Sequence, residues 1–197
     1  MEGKRFIIPI FISHFGCPHR CVYCDQNRVA RPTTTLPSPE EVHREIEWYL
    51  TVGARKRQGV KTVQVAFYGG SFTALPLGIQ EGLLRSVAPF LREGKVRSLR
   101  LSTRPDYISS EVLELLRSEK VITIELGVQS TDDEVLKFSR RGYGRQEVKR
   151  AVRELLQRDF EVGIQLMVGL PGDTPEKFAT TVEDVIDMRP HFVRIYP

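Results

Sequence analysis

The chain has 197 residues, 41% hydrophobic and 27% charged, which supports one sizeable core; two domains cut from it would each be small. It holds no run of 18 apolar residues, which excludes a membrane-spanning helix, and its composition excludes collagen-like, low-complexity and disordered classes. A formal net charge of +4 permits a phosphate or RNA partner without requiring one.

Residues 5–12 are apolar and β-rich and predict a first strand. The stretch is short, is interrupted by Pro9 and lacks a small-residue cleavage site, so it does not read as a secretory leader, and a cytoplasmic protein is expected. A loop with all three cysteines follows, then a polar loop at 33–39. Ser38-Pro39-Glu40-Glu41 has capping-box spacing with proline at the first helical position, and predicts a helix ending near Gly53 or Gly59. A second strand at 60–68 closes on Gly69-Gly70, and a helix is expected at 80–93, where Pro89 could kink it. A third strand at 96–102 closes on Thr103-Arg104-Pro105-Asp106, and a short helix covers 110–118. The fourth strand, 121–128, closes on Gln129-Ser130. Thr131-Asp132-Asp133-Glu134 repeats the capping-box spacing and predicts a helix to Arg141, with a longer one at 145–158. The fifth strand, 162–168, closes on Gly169-Leu170-Pro171-Gly172. Thr174-Pro175 opens a helix to Asp187, and a sixth strand begins at 192–196.

Strands and helices alternate without a compositional break, which predicts a parallel sheet with helices outside, either doubly wound or closed toward a barrel. The chain is read as one domain over 1–197, from which a C-terminal element covering the last strand is expected to be missing. The basic cluster Arg140, Arg141, Arg145, Lys149, Arg150 and Arg153 reads as a solvated helix face. The special sequences all follow strands. In a parallel α/β sheet the C-terminal strand ends share one edge, so these loops converge on one site.

The cysteines stand as Cys17-Pro-His-Arg-Cys21-Val-Tyr-Cys24. An odd, crowded set is a poor disulfide framework and points to metal. Three thiolates can hold three irons of a 4Fe-4S cubane and leave the fourth open to a small molecule. A zinc ion with His14 or His19 as fourth ligand is the alternative, although the paired C-x2-C spacing that zinc favours is absent.

The C-x3-C-x-aromatic-C pattern resembles the signature of radical S-adenosylmethionine (radical SAM) enzymes, and the likeness spans nearly the whole chain. It implies a partial (β/α)6 TIM-like barrel of parallel strands with outer helices, and a 4Fe-4S cluster on Cys17, Cys21 and Cys24. S-adenosylmethionine would bind the open iron through its amino and carboxylate groups, and an external electron donor would drive its cleavage to a 5′-deoxyadenosyl radical. By the same likeness Gly69-Gly70-Ser71 stands for the family's Gly-Gly-Glu motif, meeting the methionine amino end through backbone. Gln129 would bond the ribose, Arg141 the methionine carboxylate, and Gln165 the ribose again. Gly169 would border the adenine, with Tyr23 beside the adenine or shielding the cluster. Thr103-Arg104-Pro105-Asp106-Tyr107, Glu125-Leu-Gly-Val-Gln129-Ser130 and Gly169-Leu-Pro-Gly172 are similar to the elongator catalytic subunit. The fourth-strand segment is shared with the branch related to oxygen-independent coproporphyrinogen oxidase. A tRNA base is the substrate this implies, with a porphyrin-like small molecule as runner-up. The competing reading is a non-catalytic module that holds a metal or cluster and binds RNA or a partner protein.

Overall fold

In a computed structural model, which describes residues 4–24, 35–52 and 60–197, six parallel strands form one sheet in chain order. They are β1 (Lys4–Phe11), β2 (Val60–Tyr68), β3 (Ser98–Thr103), β4 (Val121–Gln129), β5 (Glu161–Met167) and β6 (Phe192–Tyr196). The connecting helices are α1 (Pro39–Val52), α2 (Leu77–Arg85), α3 (Ala88–Arg92), α4 (Ser110–Ser118), α5 (Asp133–Phe138), α6 (Arg145–Leu156) and α7 (Pro175–Met188).

The capping box at Ser38 forms as the sequence requires: Glu41 N donates to Ser38 Oγ at 3.2 Å, and Ser38 N donates back to the Glu41 carboxylate at 2.8 Å. Three local expectations fail for identifiable reasons. The helix foreseen at 80–93 is two helices, because Pro89 has no N–H to offer Arg85 and crowds its carbonyl. The cap at 131–134 is Asp132, not Thr131; its carboxylate accepts from Glu134 N and Val135 N at 3.0 and 2.9 Å. Thr131 is turned inward onto Asp184, 2.6 Å away. The helix then stops at Phe138 rather than Arg141, since Arg140 and Gly142 take φ values of 55° and 78°. Positions 33–34 of the polar loop, and the glycines at 53 and 59 expected to end α1, lie outside the described residues.

The sheet is curled. Arg5 of β1 donates to Glu161 of β5 at 2.8 Å, although in a flat sheet four inter-strand spacings would separate them by about 19 Å. Curling gives the strands two unlike faces with period 2. Ile8, Ile10 and Ile12, Leu99 and Leu101, Ile124, Leu126 and Val128, and Ile164 and Leu166 are buried in the apolar core. The alternate positions, including Phe11, Tyr68, Ser102, Glu125, Gln129, Gln165 and Arg194, line a cavity on the concave side. The architecture is thus a half-barrel whose concave side carries polar side chains of alternate strand positions among apolar wall.

Candidate functional site

The cavity has a volume of about 580 Å³, within the roughly 300–1,000 Å³ usual for small-molecule sites. The cysteine loop forms its rim. Backbone pairing between β1 and β2 continues past the strands, from Ile12 N to Tyr68 O (2.8 Å), His14 N to Gly69 O (2.7 Å) and Ser71 N to Phe15 O (3.1 Å). Backbone presses on backbone here. A Cβ on Gly16 would lie 2.1 Å from the Ser71 carbonyl oxygen, and Gly16 has φ +76°; a Cβ on Gly70 would lie 2.4 Å from Phe15 O. Gly70 is therefore required by the cysteine loop, whatever ligand it also meets.

Cys17, Cys21 and Cys24 all face the cavity, with Cys21 buried and the others half-buried. Burial, then the neighbouring Cys24, pushes the Cys17 thiol up, while Arg104 pulls it down. Among the described residues no three His, Cys, Asp or Glu side chains gather closely enough to share one ion. A tetrahedral zinc, with Zn–S near 2.3 Å, needs that convergence, whereas a cubane takes each thiolate on a different iron. Both alternative zinc ligands, His14 and His19, line the cavity, and His19 has its ring against Gly142, where a Cβ would meet Nε2 at 2.5 Å.

Arg141 is 6% exposed and touches this thiol set. Its Nη1 donates to Cys21 Sγ at 3.2 Å and to Tyr23 Oη at 2.7 Å. Its Nε donates to Tyr143 Oη at 2.8 Å, and Nη2 to Gly127 O and to Tyr143 Oη. Tyr143 passes the bond on to Gly127 O at 2.7 Å, and burial pushes its hydroxyl up to about 12. Arg104 forks onto Asp106 at 2.9 and 2.8 Å and holds the Arg141 carbonyl at 2.5 Å. Among the described residues Arg141 has no carboxylate partner, so a buried guanidinium looks into the cavity with only thiol and neutral oxygen around it.

The β2 and β3 tips meet through hydroxyls: Thr103 Oγ1 lies 3.2 Å from Ser71 Oγ and 2.5 Å from Thr73 Oγ1. Gln129, at φ +73°, leaves its buried Oε1 at the cavity wall without a partner among the described residues. Below it, Glu125 gathers the barrel interior. It accepts from Tyr68 Oη (2.8 Å), Arg100 Nη2 (3.0 Å), Gln165 Nε2 (3.2 Å) and Arg194 Nε (3.0 Å).

Of the sequence-selected residues, the three cysteines, Tyr23, Gly69, Gly70, Ser71, Gln129, Arg141 and Gln165 line this one cavity. Gly169 does not; it sits at the β5 tip, its N–H turned to Asp173 at 3.1 Å. Arg141 also leaves the basic cluster: the solvated-face reading fails there because the turn at Arg140–Gly142 swings it inward while Arg140 stays exposed. Arg145 and Lys149 pair with Asp184 at 2.5 and 2.8 Å, and Arg150 pairs with Glu147. Tyr143, Arg104 and the Glu125 group have no role that sequence reasoning assigns. The signal for the Glu125 group is the polar residue at alternate positions of otherwise apolar strands; Tyr143 and Arg104 sit in loops, where no such pattern marks them.

The family described as "Radical SAM superfamily" matches residues 11–185. The uncharacterized protein MJ0486 of Methanocaldococcus jannaschii is 29% identical, over 100% of this chain and 62% of its own length. The tRNA uridine(34) acetyltransferase of Methanocaldococcus infernus is 24% identical, over 97% of this chain and 42% of its own. The chain thus spans about half the length of these relatives. Among solved structures, the archaeal Elp3 of Methanocaldococcus infernus superposes with a TM-score of 0.69 at 21% identity, covering 98% of this chain and 45% of that one. Coproporphyrinogen III oxidase (HemN) from Escherichia coli superposes with a TM-score of 0.65 at 22% identity, covering 100% and 45%. At these identities the superpositions show the fold, a partial TIM-like barrel.

Proposed function

The chain belongs to the radical SAM superfamily, whose cofactors are a 4Fe-4S cluster and S-adenosylmethionine, and on that premise we propose that it is an enzyme performing radical chemistry on a substrate other than S-adenosylmethionine itself. The observation that carries this is the convergence of three thiols, a buried Arg141 without a counter-anion and an orphaned Gln129 Oε1 on one cavity. That set fits the two cofactors: thiolates for iron, a guanidinium for a carboxylate, and an amide oxygen for ribose hydroxyls.

Bound and reduced by an external one-electron donor, the cluster would supply the electron that breaks the sulfonium carbon–sulfur bond, giving methionine and a 5′-deoxyadenosyl radical that takes a hydrogen atom from substrate. The protein's part is placement. Cys17, Cys21 and Cys24 hold three irons. Arg141, held by Tyr143 and Gly127 O, would turn to the methionine carboxylate the Nη1 donors it now spends on Cys21 and Tyr23. Gly69-Gly70-Ser71 offers backbone to the amino end, Gln129 and Gln165 bracket the ribose, and Gly169 borders the adenine side from outside the cavity lining. A tRNA base is the substrate we favour, supported by the tRNA-modifying relatives, in which the matching region is under half of the protein.

The test is anaerobic reconstitution with iron and sulfide, followed by reductant and S-adenosylmethionine. Release of 5′-deoxyadenosine well above background, abolished in Cys21→Ala, supports the reading. Background release from both proteins sinks it.

A further inference from the structure

The substrate's half of the cavity has a chemical character that the cofactor set does not use. Part of the cavity wall comes from the two edge strands, with Phe11 of β1, just before the cysteine loop, and Arg194 and Tyr196 of β6. Arg194 is held in place: its Nε donates to Glu125 at 3.0 Å and its guanidinium carbon lies 5.8 Å from the Phe192 ring centroid. Its two Nη groups make no hydrogen bond among the described residues, and the side chain is 44% exposed.

The charge around it does not cancel. Glu125 is shared by two cations, Arg100 and Arg194, and Arg100 is buried with its own fork committed to Glu125 and Gln64. Tyr68, the remaining titratable group on this carboxylate, donates a hydrogen bond to it, and burial pushes that hydroxyl up. The Arg5–Glu161 pair at the base of the barrel is neutral as a unit. One positive charge is therefore left over, on the guanidinium that is open to the cavity. Two parallel N–H donors, oriented by a third bond and a ring stack, form a fork that matches a planar or tetrahedral oxyanion.

We propose that Arg194 is the specificity residue that receives an oxyanion carried by the substrate, a phosphate or a carboxylate, and so orients that substrate in the cavity that the three cysteines also line. The assignment rests on the cavity being a radical SAM active site, and it deepens that reading by naming a chemical class for the substrate. Glu125 is the positioning residue behind Arg194.

The test uses the full chain loaded anaerobically with iron, sulfide and S-adenosylmethionine. Binding of uridine 5′-monophosphate, uridine and glutarate is measured by calorimetry for wild type, Arg194→Gln and Arg194→Lys. Iron content and melting temperature are checked in each. A phosphate site gives uridine 5′-monophosphate at least a tenfold advantage over uridine; a carboxylate site gives Arg194-dependent glutarate binding instead. Arg194→Gln removes the advantage. Arg194→Lys, which keeps a cation on Glu125 and so guards against a folding artefact, loses most of it for want of a fork. Equal binding of charged and neutral probes by the wild type, or an advantage that survives both substitutions, overturns the assignment. The same titrations on cluster-free chain separate the two questions. A protein that never cleaves S-adenosylmethionine but keeps the Arg194-dependent advantage fails the functional reading alone, and one that cleaves it without that advantage fails only this inference.

Discussion

Replacing Gly16 by alanine isolates the contact that sets the cysteine loop on the barrel. Gly16 combines a left-handed φ of +76° with a Cβ position 2.1 Å from the Ser71 carbonyl oxygen and 3.2 Å from Leu75 N. The backbone conformation alone costs a side chain about 1–2 kcal/mol. The clash is with backbone, which cannot swing away, so the loop must retreat by about 1 Å or more, at an overpacking cost of about 1–3 kcal/mol. Gly94 is the built-in control, because it has φ +69° and no atom within 4 Å of the place a Cβ would take. Gly94→Ala therefore carries the conformational cost only. Urea denaturation should place Gly16→Ala below Gly94→Ala by about 1–3 kcal/mol, and reconstituted iron per chain should fall in Gly16→Ala while Gly94→Ala keeps the wild-type value. Equal stability and equal iron in the two variants would refute the reasoning that this glycine seats the metal-binding loop.

Three further outcomes are expected. Arg141→Lys keeps the charge but lacks the fork that reaches Cys21, Tyr23, Tyr143 and Gly127; its S-adenosylmethionine affinity, measured by equilibrium dialysis, should fall about tenfold or more. Tyr143→Phe strips the hydroxyl that takes two guanidinium bonds and caps Gly127 O, and chemical denaturation should show a loss of about 1–3 kcal/mol. Asp184 is 3% exposed; burial raises its carboxyl, but bonds from Arg145, Lys149 and Thr131 outweigh that and hold it at about 2. A carboxyl depressed on folding stabilises the protein above its unfolded value near 3.9, and that contribution fades as pH falls toward 2. Asp184→Asn should thus cost about 2 kcal/mol at pH 7, with the gap to wild type roughly halved at pH 3; a gap that does not change with pH would show that the charge is not what matters.

Much of the fold is legible in the sequence because each connection carries its own punctuation. Ser38-Pro39 and Thr174-Pro175 open α1 and α7 as written, and Gly-rich or polar turns mark every strand end. The shared edge of a parallel sheet is enough to bring most of the site residues together from their order along the chain. What sequence hides depends on tertiary contact. Arg141 and Arg140 are indistinguishable in sequence; only the left-handed turn that follows α5 sends one inward and the other out. Gly70 looks like a ligand contact but is first a packing requirement of Phe15. Gly169 follows β5 as expected, yet its loop folds back on Asp173 away from the cavity lining. Glu125 stands out in sequence only as part of a motif, because the contacts to it come from β3 and β5 beside its strand and from β2 and β6 two strands away, and these exist only in the assembled sheet.

Electron paramagnetic resonance of the reduced, anaerobically reconstituted chain, recorded before and after adding S-adenosylmethionine, goes most directly to the heart of the matter. A cluster held by three cysteines should give about four irons per chain and a spectrum that changes when S-adenosylmethionine takes the open iron. A spectrum indifferent to S-adenosylmethionine, or a chain that instead retains one tightly bound zinc, would contradict it.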